Sequence, residues 1–155
     1  IAEYYPVMGN KFKLPDDATL EVLHPFESMF GQKTDDPNDT SIVTRLRYQG
    51  ITMLFTGDIS QEVERALLSQ KVDWRSDLLK VAHHGSGDSS IEEFIRAVSP
   101  AVSVIQVGED NSYGHPAKRV LDTLEKAGSR VFRNDELGDI VVRVSLDGKM
   151  VVGDP

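Results

Sequence analysis

Two short runs carry most of the chemistry available to this sequence: Thr56-Gly57-Asp58 and His83-His84-Gly85-Ser86. Each follows an apolar stretch of strand character, so each places a ligand-capable side chain at the C-terminal end of a strand. A carboxylate carried there is aimed rigidly, as a metal ligand must be. Imidazole is the commonest side-chain metal ligand, and adjacent histidines at a strand tip point to different partners. One can ligate while the other acts as an acid or contacts a phosphate. Taken singly, each run has a plainer use: Asp58 could cap the following helix, and the two histidines could be surface residues ahead of a Gly-rich turn. A third run, Asn111-Ser112-Tyr113-Gly114-His115-Pro116, closes the next strand–helix junction. There His115 would lie near the partial positive end of a helix dipole. That would lower its pKa and suit either metal binding or donation to a phosphate oxygen. His24, ahead of Pro25, reads as structural. Asn38-Asp39-Thr40-Ser41 reads as a turn that could also bring polar oxygens to the same edge.

The elements that must position these residues follow from periodicity. Leu20 to Leu23 reads as a short strand, and Phe26 to Asp39 as a loop rich in Gly, Pro and Asp. Residues 41–48 and 51–55 alternate at period two about a Gln49-Gly50 hairpin turn. After Asp58 the period changes, with Ser60 near a helix start and Ile59, Val63, Ala66 and Leu67 on one face. Asp77 to Ala82 is expected as a strand running straight into the histidines. Ser89 and Glu92 have capping-box spacing ahead of the stripe Ile91, Phe94, Ile95 and Val98. Val102 to Val107 reads as a strand buried on both faces. Pro116 is expected to open a helix with Val120, Leu121 and Leu124 inward and Gly128 as its stop. Strands 140–144 and 149–152 close the chain through Asp147-Gly148. The order is antiparallel strands, then β-α repeats, then a hairpin. This is an α+β sheet with helices on its outer face. Three junctions after consecutive strands would converge at one sheet edge, the usual ligand site of open α/β sheets.

Bulk properties narrow the classes. At 155 residues with 39% hydrophobic and 7% aromatic content, the chain fits one domain, 1–155, with no internal boundary. It has no cysteine, which excludes disulfides and thiolate metal sites. Any metal must be held by His, Asp, Glu or Asn. No apolar run approaches membrane-spanning length. A net charge of −8 means that an anionic substrate would need local attraction, most easily from bound cations. The chain starts at Ile1 rather than Met, so it is expected to be part of a longer or processed product.

Asn38-Asp39-x-Ser41, Phe55-Thr56-Gly57-Asp58, Leu79-Lys80-Val81-Ala82-His83-His84-Gly85-Ser86 and Asn111-x-Tyr113-Gly114-His115-Pro116 together resemble the metallo-β-lactamase fold. More narrowly they resemble the soluble C-terminal domain of the ComEC family of bacterial DNA-internalisation competence proteins. The resemblance runs from about Leu20 to Val152. It implies a four-layer αββα fold with two divalent ions, zinc or manganese, between its sheets. Asp58 would bridge the metals and His84 would ligate the second. His83 would contact substrate or donate a proton, and His115 would line the phosphate site or ligate. Asn38 and Asp39 stand where the family's usual third-motif histidine is found, and with Ser86 they would line the site. The fold's N-terminal His-x-His/Asp-x-Asp-His signature is absent from these residues. The chain is therefore expected to be the C-terminal half of such a domain, a mixed sheet with flanking helices. On its own it should be inactive, bind metal weakly or not at all, and tend to self-associate through the uncovered face. The function implied for the intact protein is metal-assisted phosphodiester hydrolysis, degrading the non-transported DNA strand beside a membrane channel of the same polypeptide. It would be tethered to the cell membrane on the extracytoplasmic side. The alternatives are a free-standing hydrolase of a small phosphoester and a non-catalytic partner-docking domain.

Overall fold

The computed structural model describes residues 3–153. A three-residue edge strand β1 (Lys11–Lys13) pairs antiparallel with β2 (Thr19–His24). After the 26–41 loop, β3 (Val43–Tyr48) and β4 (Ile51–Phe55) form the hairpin expected about Gln49-Gly50. Helix α1 (Gln61–Leu68), β5 (Leu78–Lys80), α2 (Glu92–Val98), β6 (Val102–Ile105), α3 (Lys118–Lys126) and β7 (Arg130–Arg133) then alternate. From β4 to β7 the pairing is parallel, so one seven-stranded sheet is antiparallel on one side of β4 and parallel on the other. A single turn α4 (Asn134–Leu137) leads to the hairpin of β8 (Val141–Val144) and β9 (Met150–Gly153).

The side-chain alternation of the strands divides the core in two. Leu54, Leu79 and Ile105 face α1 to α3, where they meet Leu67, Phe94, Ile95, Val98, Val120 and Leu124. These side chains are at most 1% exposed, and each contributes about 1.5–3 kcal/mol by burial. On the other face Met53, Leu78 and Val102 pack under Val142, Val144, Met150 and Val152 of the closing hairpin. The face expected to lie open is therefore partly covered by the chain's own tail. On β3, Arg45 is buried in an ion pair with Glu21 and donates to the Asp73 carbonyl.

Several boundaries differ from expectation. Strand β5 stops at Lys80, and Ala82–Gly85 is a 3₁₀ turn, so the histidines follow the strand rather than end it. Strand β6 stops at Ile105, α3 begins two residues after Pro116, and the tail strands are each displaced by about a residue. The Ser89–Glu92 capping box does not form. Ile91 is the N-cap of α2, and the Ser89 hydroxyl donates to the carbonyls of Ala82 (3.0 Å) and Ser86 (3.1 Å). Strands β1 and β7 were not legible, because Lys and Arg occupy their ends. Among the described residues, no helix is long and apolar enough to cross a membrane.

Candidate functional site

The parallel order β4-β5-β6 brings the ends of three successive strands side by side, and the three motif runs leave the sheet there. The first turn carries Asp58. Its side chain does not cap α1, whose N-cap is Ser60. Asp58 Oδ2 lies 3.7 Å from His84 Nε2, and Oδ1 lies 3.5 Å from Lys80 Nζ. His84 Nδ1 is 2.6 Å from the Gln106 carbonyl. A carbonyl only accepts, so Nδ1 carries a proton, which leaves Nε2, on the Asp58 side, as the ring nitrogen able to ligate. A backbone carbonyl behind an imidazole is the usual outer support of a metal-ligating histidine.

His83 and His84 adopt left-handed backbone, with φ of 48° and 54°. Two consecutive non-glycine residues there cost about 1–2 kcal/mol each, a strain that clusters at functional turns. The turn holds because its neighbours overdetermine it. The His83 amide donates to the Gly57 carbonyl (3.1 Å), Lys80 Nζ donates to the same oxygen (3.1 Å), and the Thr56 hydroxyl donates to the Lys80 carbonyl (2.7 Å). Burial pulls the Lys80 ammonium below its usual range, against the opposing pull of Asp58. Among the described residues, His83 Nδ1 is buried without a hydrogen-bond partner.

His115 reaches the same cluster, its ring 6.0 Å from that of His83 and near-parallel to Tyr113 at 5.8 Å. Its pKa is lowered, as expected, but for another reason. Burial is the main cause, followed by the charges of His83 and His84, and α3 starts three residues later.

Two motif glycines interlock the turns. Gly57 has φ +58°, and a Cβ there would stand 2.7 Å from Ser41 Cβ; Gly85 has φ +79°, and its Cβ would stand 2.6 Å from Pro116 Cβ. Both are glycines because the chain turns left-handed and a neighbouring segment touches the backbone. Ser41 also accepts the Asp58 amide on its hydroxyl (3.0 Å), and the buried His24 bonds the Ser41 carbonyl through Nδ1 (2.9 Å). His24 is thus structural, and it supports Asp58 at one remove.

The loop after the histidines is clamped from two helices. Buried Glu64 of α1 accepts the amides of Ser90 (2.7 Å) and Ile91 (2.8 Å). Arg119 of α3 donates to the carbonyls of Gly87 (2.8 Å), Ser90 (3.1 Å) and Ser89.

Of the residues expected at the site, Asp58, His83, His84 and His115 come together, while Ser86, Asn38 and Asp39 make contacts of their own. The Ser86 hydroxyl is buried and accepts the Asp88 amide. Asn38 and Asp39 sit in a 3₁₀ turn, and Asp39 lines a polar groove with Ser60, Gln61 and Asp88. Lys80, Ser41, Glu64 and Arg119 were missed. A lysine inside the apolar run Leu78–Ala82 was the one available signal for Lys80, since a charge in a buried strand needs a partner.

Asp58 and His84 fit as two ligands of one divalent ion: the oxygen and nitrogen donors face each other and the imidazole is supported from behind. Among the described residues, no three His, Asp or Glu side chains group closely enough to hold a metal. A catalytic zinc site takes three protein ligands, so this pair is a partial site.

No protein-family model matches the chain. It is 37% identical over 130 residues to ComE operon protein 3 of Bacillus subtilis, and 34% identical over 124 residues to competence protein ComA of Neisseria gonorrhoeae. These alignments cover 82% and 79% of the chain but only 16% and 17% of the relatives, so the chain spans about a sixth of their length. A solved structure from Parabacteroides distasonis, provisionally described as a metal-dependent hydrolase, matches with a TM-score of 0.50 at 14% identity. That match covers 83% of this chain and 56% of the other. The chain is therefore a homologue, over about four fifths of its length, of one segment of two bacterial competence proteins, and it shares a fold with that hydrolase-like structure.

Proposed function

We propose that this chain forms one wall of a metallo-β-lactamase-like phosphodiesterase domain in a ComEC-type DNA-uptake protein. The domain would degrade the strand that is not transported, on the extracytoplasmic side of the cell membrane and beside a channel region of the same polypeptide. The observation that carries the reading is the facing pair Asp58–His84, with the Gln106 carbonyl accepting from the imidazole Nδ1. The competence-protein relatives and the description of the structural neighbour point the same way. Asp58 and His84 would hold metal, with zinc or manganese suiting the donor set. When bound, two divalent ions would neutralise the phosphate and make a water nucleophilic near neutral pH. Asp58 aims its carboxylate from the β4 end, and His84, protonated on Nδ1, has Nε2 as the nitrogen able to ligate. His83, with an unpartnered ring nitrogen, is placed to contact substrate or pass a proton to the leaving oxygen. His115, whose pKa is lowered by burial and by its histidine neighbours, would line the phosphate side. Asn38, Asp39 and Ser86 take outer positions. The remaining ligands would come from a second wall.

Calorimetric titration of the chain with Zn²⁺ or Mn²⁺ is expected to show weak or no binding, with no turnover of bis(p-nitrophenyl) phosphate. In a longer protein containing the second wall, Asp58→Asn or His84→Ala should lower metal affinity by more than about a hundredfold, beyond the cost of losing an outer support. Tight metal binding with turnover by the chain alone would overturn the half-site reading. Full hydrolysis by Asp58→Asn would overturn the metal assignment.

A further inference from the structure

We propose that Tyr113 is a stacking platform for a nucleobase close to the phosphodiester that the Asp58–His84 wall would hold. This rests on the phosphodiesterase reading and adds to it the class of group recognised beside the phosphate. Tyr113 is 81% exposed, more than any other large hydrophobic side chain among the described residues. An aromatic ring left so open contributes little to folding. Its inner face is nevertheless ordered against His115, the two planes 17° apart with centroids 5.8 Å apart, an offset stack. From His115 the rings step inward to His83 at 6.0 Å and from there to His84 at 6.5 Å. A continuous path of flat side chains therefore runs from the carboxylate–imidazole pair to an open aromatic face.

The loop that presents the ring is braced rather than loose. Asn111 donates through Nδ2 to the carbonyls of His115 (2.9 Å) and Gly108 (3.0 Å), and its Oδ1 accepts the His115 amide (3.0 Å). The ring position is thus set before any ligand arrives, which lowers the ordering cost of binding. The charges around it decide which part of a nucleotide it would meet. Glu109 and Asp110 are exposed on the same loop and repel a phosphate. The uncharged face of a base has no such penalty, and stacking is indifferent to base identity. The substrate class is single-stranded nucleic acid, because a base inside a duplex is already stacked on both faces by its neighbours.

The test titrates the 155-residue chain with a short oligodeoxyadenylate and with an abasic oligomer of equal length, followed by NMR of the Tyr113 ring. The oligodeoxyadenylate is expected to shift the ring signals upfield and saturably, and the abasic oligomer to leave them in place. Tyr113→Ala should weaken oligodeoxyadenylate binding about tenfold, while Tyr113→Phe keeps it within about twofold. Equal binding of both oligomers, unchanged by Tyr113→Ala, overturns the stacking role and leaves the phosphodiester reading standing. Failure to bind either oligomer overturns the stacking role, while the phosphodiester reading stands or falls separately on metal affinity and hydrolysis in the longer protein.

Discussion

Replacing Glu64 with alanine is expected to destabilise the chain by about 3–5 kcal/mol, the cost of removing one partner from a buried charged network. Glu64 is fully buried on α1, and its two oxygens accept the amides of Ser90 and Ile91. Alanine leaves both amides buried without an acceptor, at about 1–3 kcal/mol each, and adds a void. At about 2–4 °C per kcal/mol for a chain of this size, the thermal midpoint should fall by roughly 10 °C. A fall of only a degree or two would show that the loop finds other partners. The same residue sets a pH dependence. Burial raises the Glu64 carboxyl from 4.5 to about 7, against the opposing effect of the two amides and of Arg119 and Arg65. A carboxyl whose folded pKa lies above its unfolded one stabilises fully below the unfolded value. That stabilisation is lost as pH rises through the folded value. From pH 4.5 to 7 the contribution is on the order of 3 kcal/mol. Melting curves of the wild type and Glu64→Gln across that window isolate it: the wild type should lose stability relative to the variant as pH rises. Parallel curves would place the ionised carboxylate in the fold at all these pH values.

Gly85→Ala should cost about 3 kcal/mol or more and disorganise two motif runs at once. A non-glycine residue at φ +79° is strained by about 1–2 kcal/mol, and the new Cβ would stand 2.6 Å from Pro116 Cβ and 3.1 Å from its Cα. The backbone of the His115-Pro116 segment must move, which separates His115 from His83. Melting together with the imidazole NMR signals of His83 and His115 checks this. Adding Pro116→Gly should recover part of the loss, since it removes the clashing carbon. Full additivity of the two changes would place the effect in the turn's own strain instead.

Most of the fold was legible wherever a single strand or helix decides its own pattern. The period-two runs about Gln49-Gly50 and the closing hairpin formed, and the helical stripes of α1 to α3 face the core as expected. Boundaries went wrong where tertiary contacts overrule local preference. Val81-Ala82 looks like strand, but the His83 amide bonds the Gly57 carbonyl in a tight turn, so the strand stops at Lys80. Ser89-x-x-Glu92 looks like a capping box, but Glu64, more than twenty residues earlier, supplies the acceptor, and spacing within the run cannot report that. Strand β7 was hidden because Arg130 and Arg133 flank the two apolar residues that carry its alternation. At the site, the four residues with chemical character of their own came together. Ser41 and Arg119 act through backbone atoms of distant segments, which no pattern in one sequence encodes. Lys80 lay between, visible as a charge in an apolar run but not as the neighbour of Asp58.

The clamp on the loop that follows the histidines has a consequence for motion. Its amides at Ser90 and Ile91 and its carbonyls from Gly87 to Ser90 are held by two side chains rooted in α1 and α3. Such a segment opens only when a helix lets go, so it belongs to the cooperative unit of the core despite having no regular structure. Its amides should exchange with solvent as slowly as those of β5 and β6. On this reading the loop beside the histidines is a fixed part of the wall, moving only with the helices that hold it.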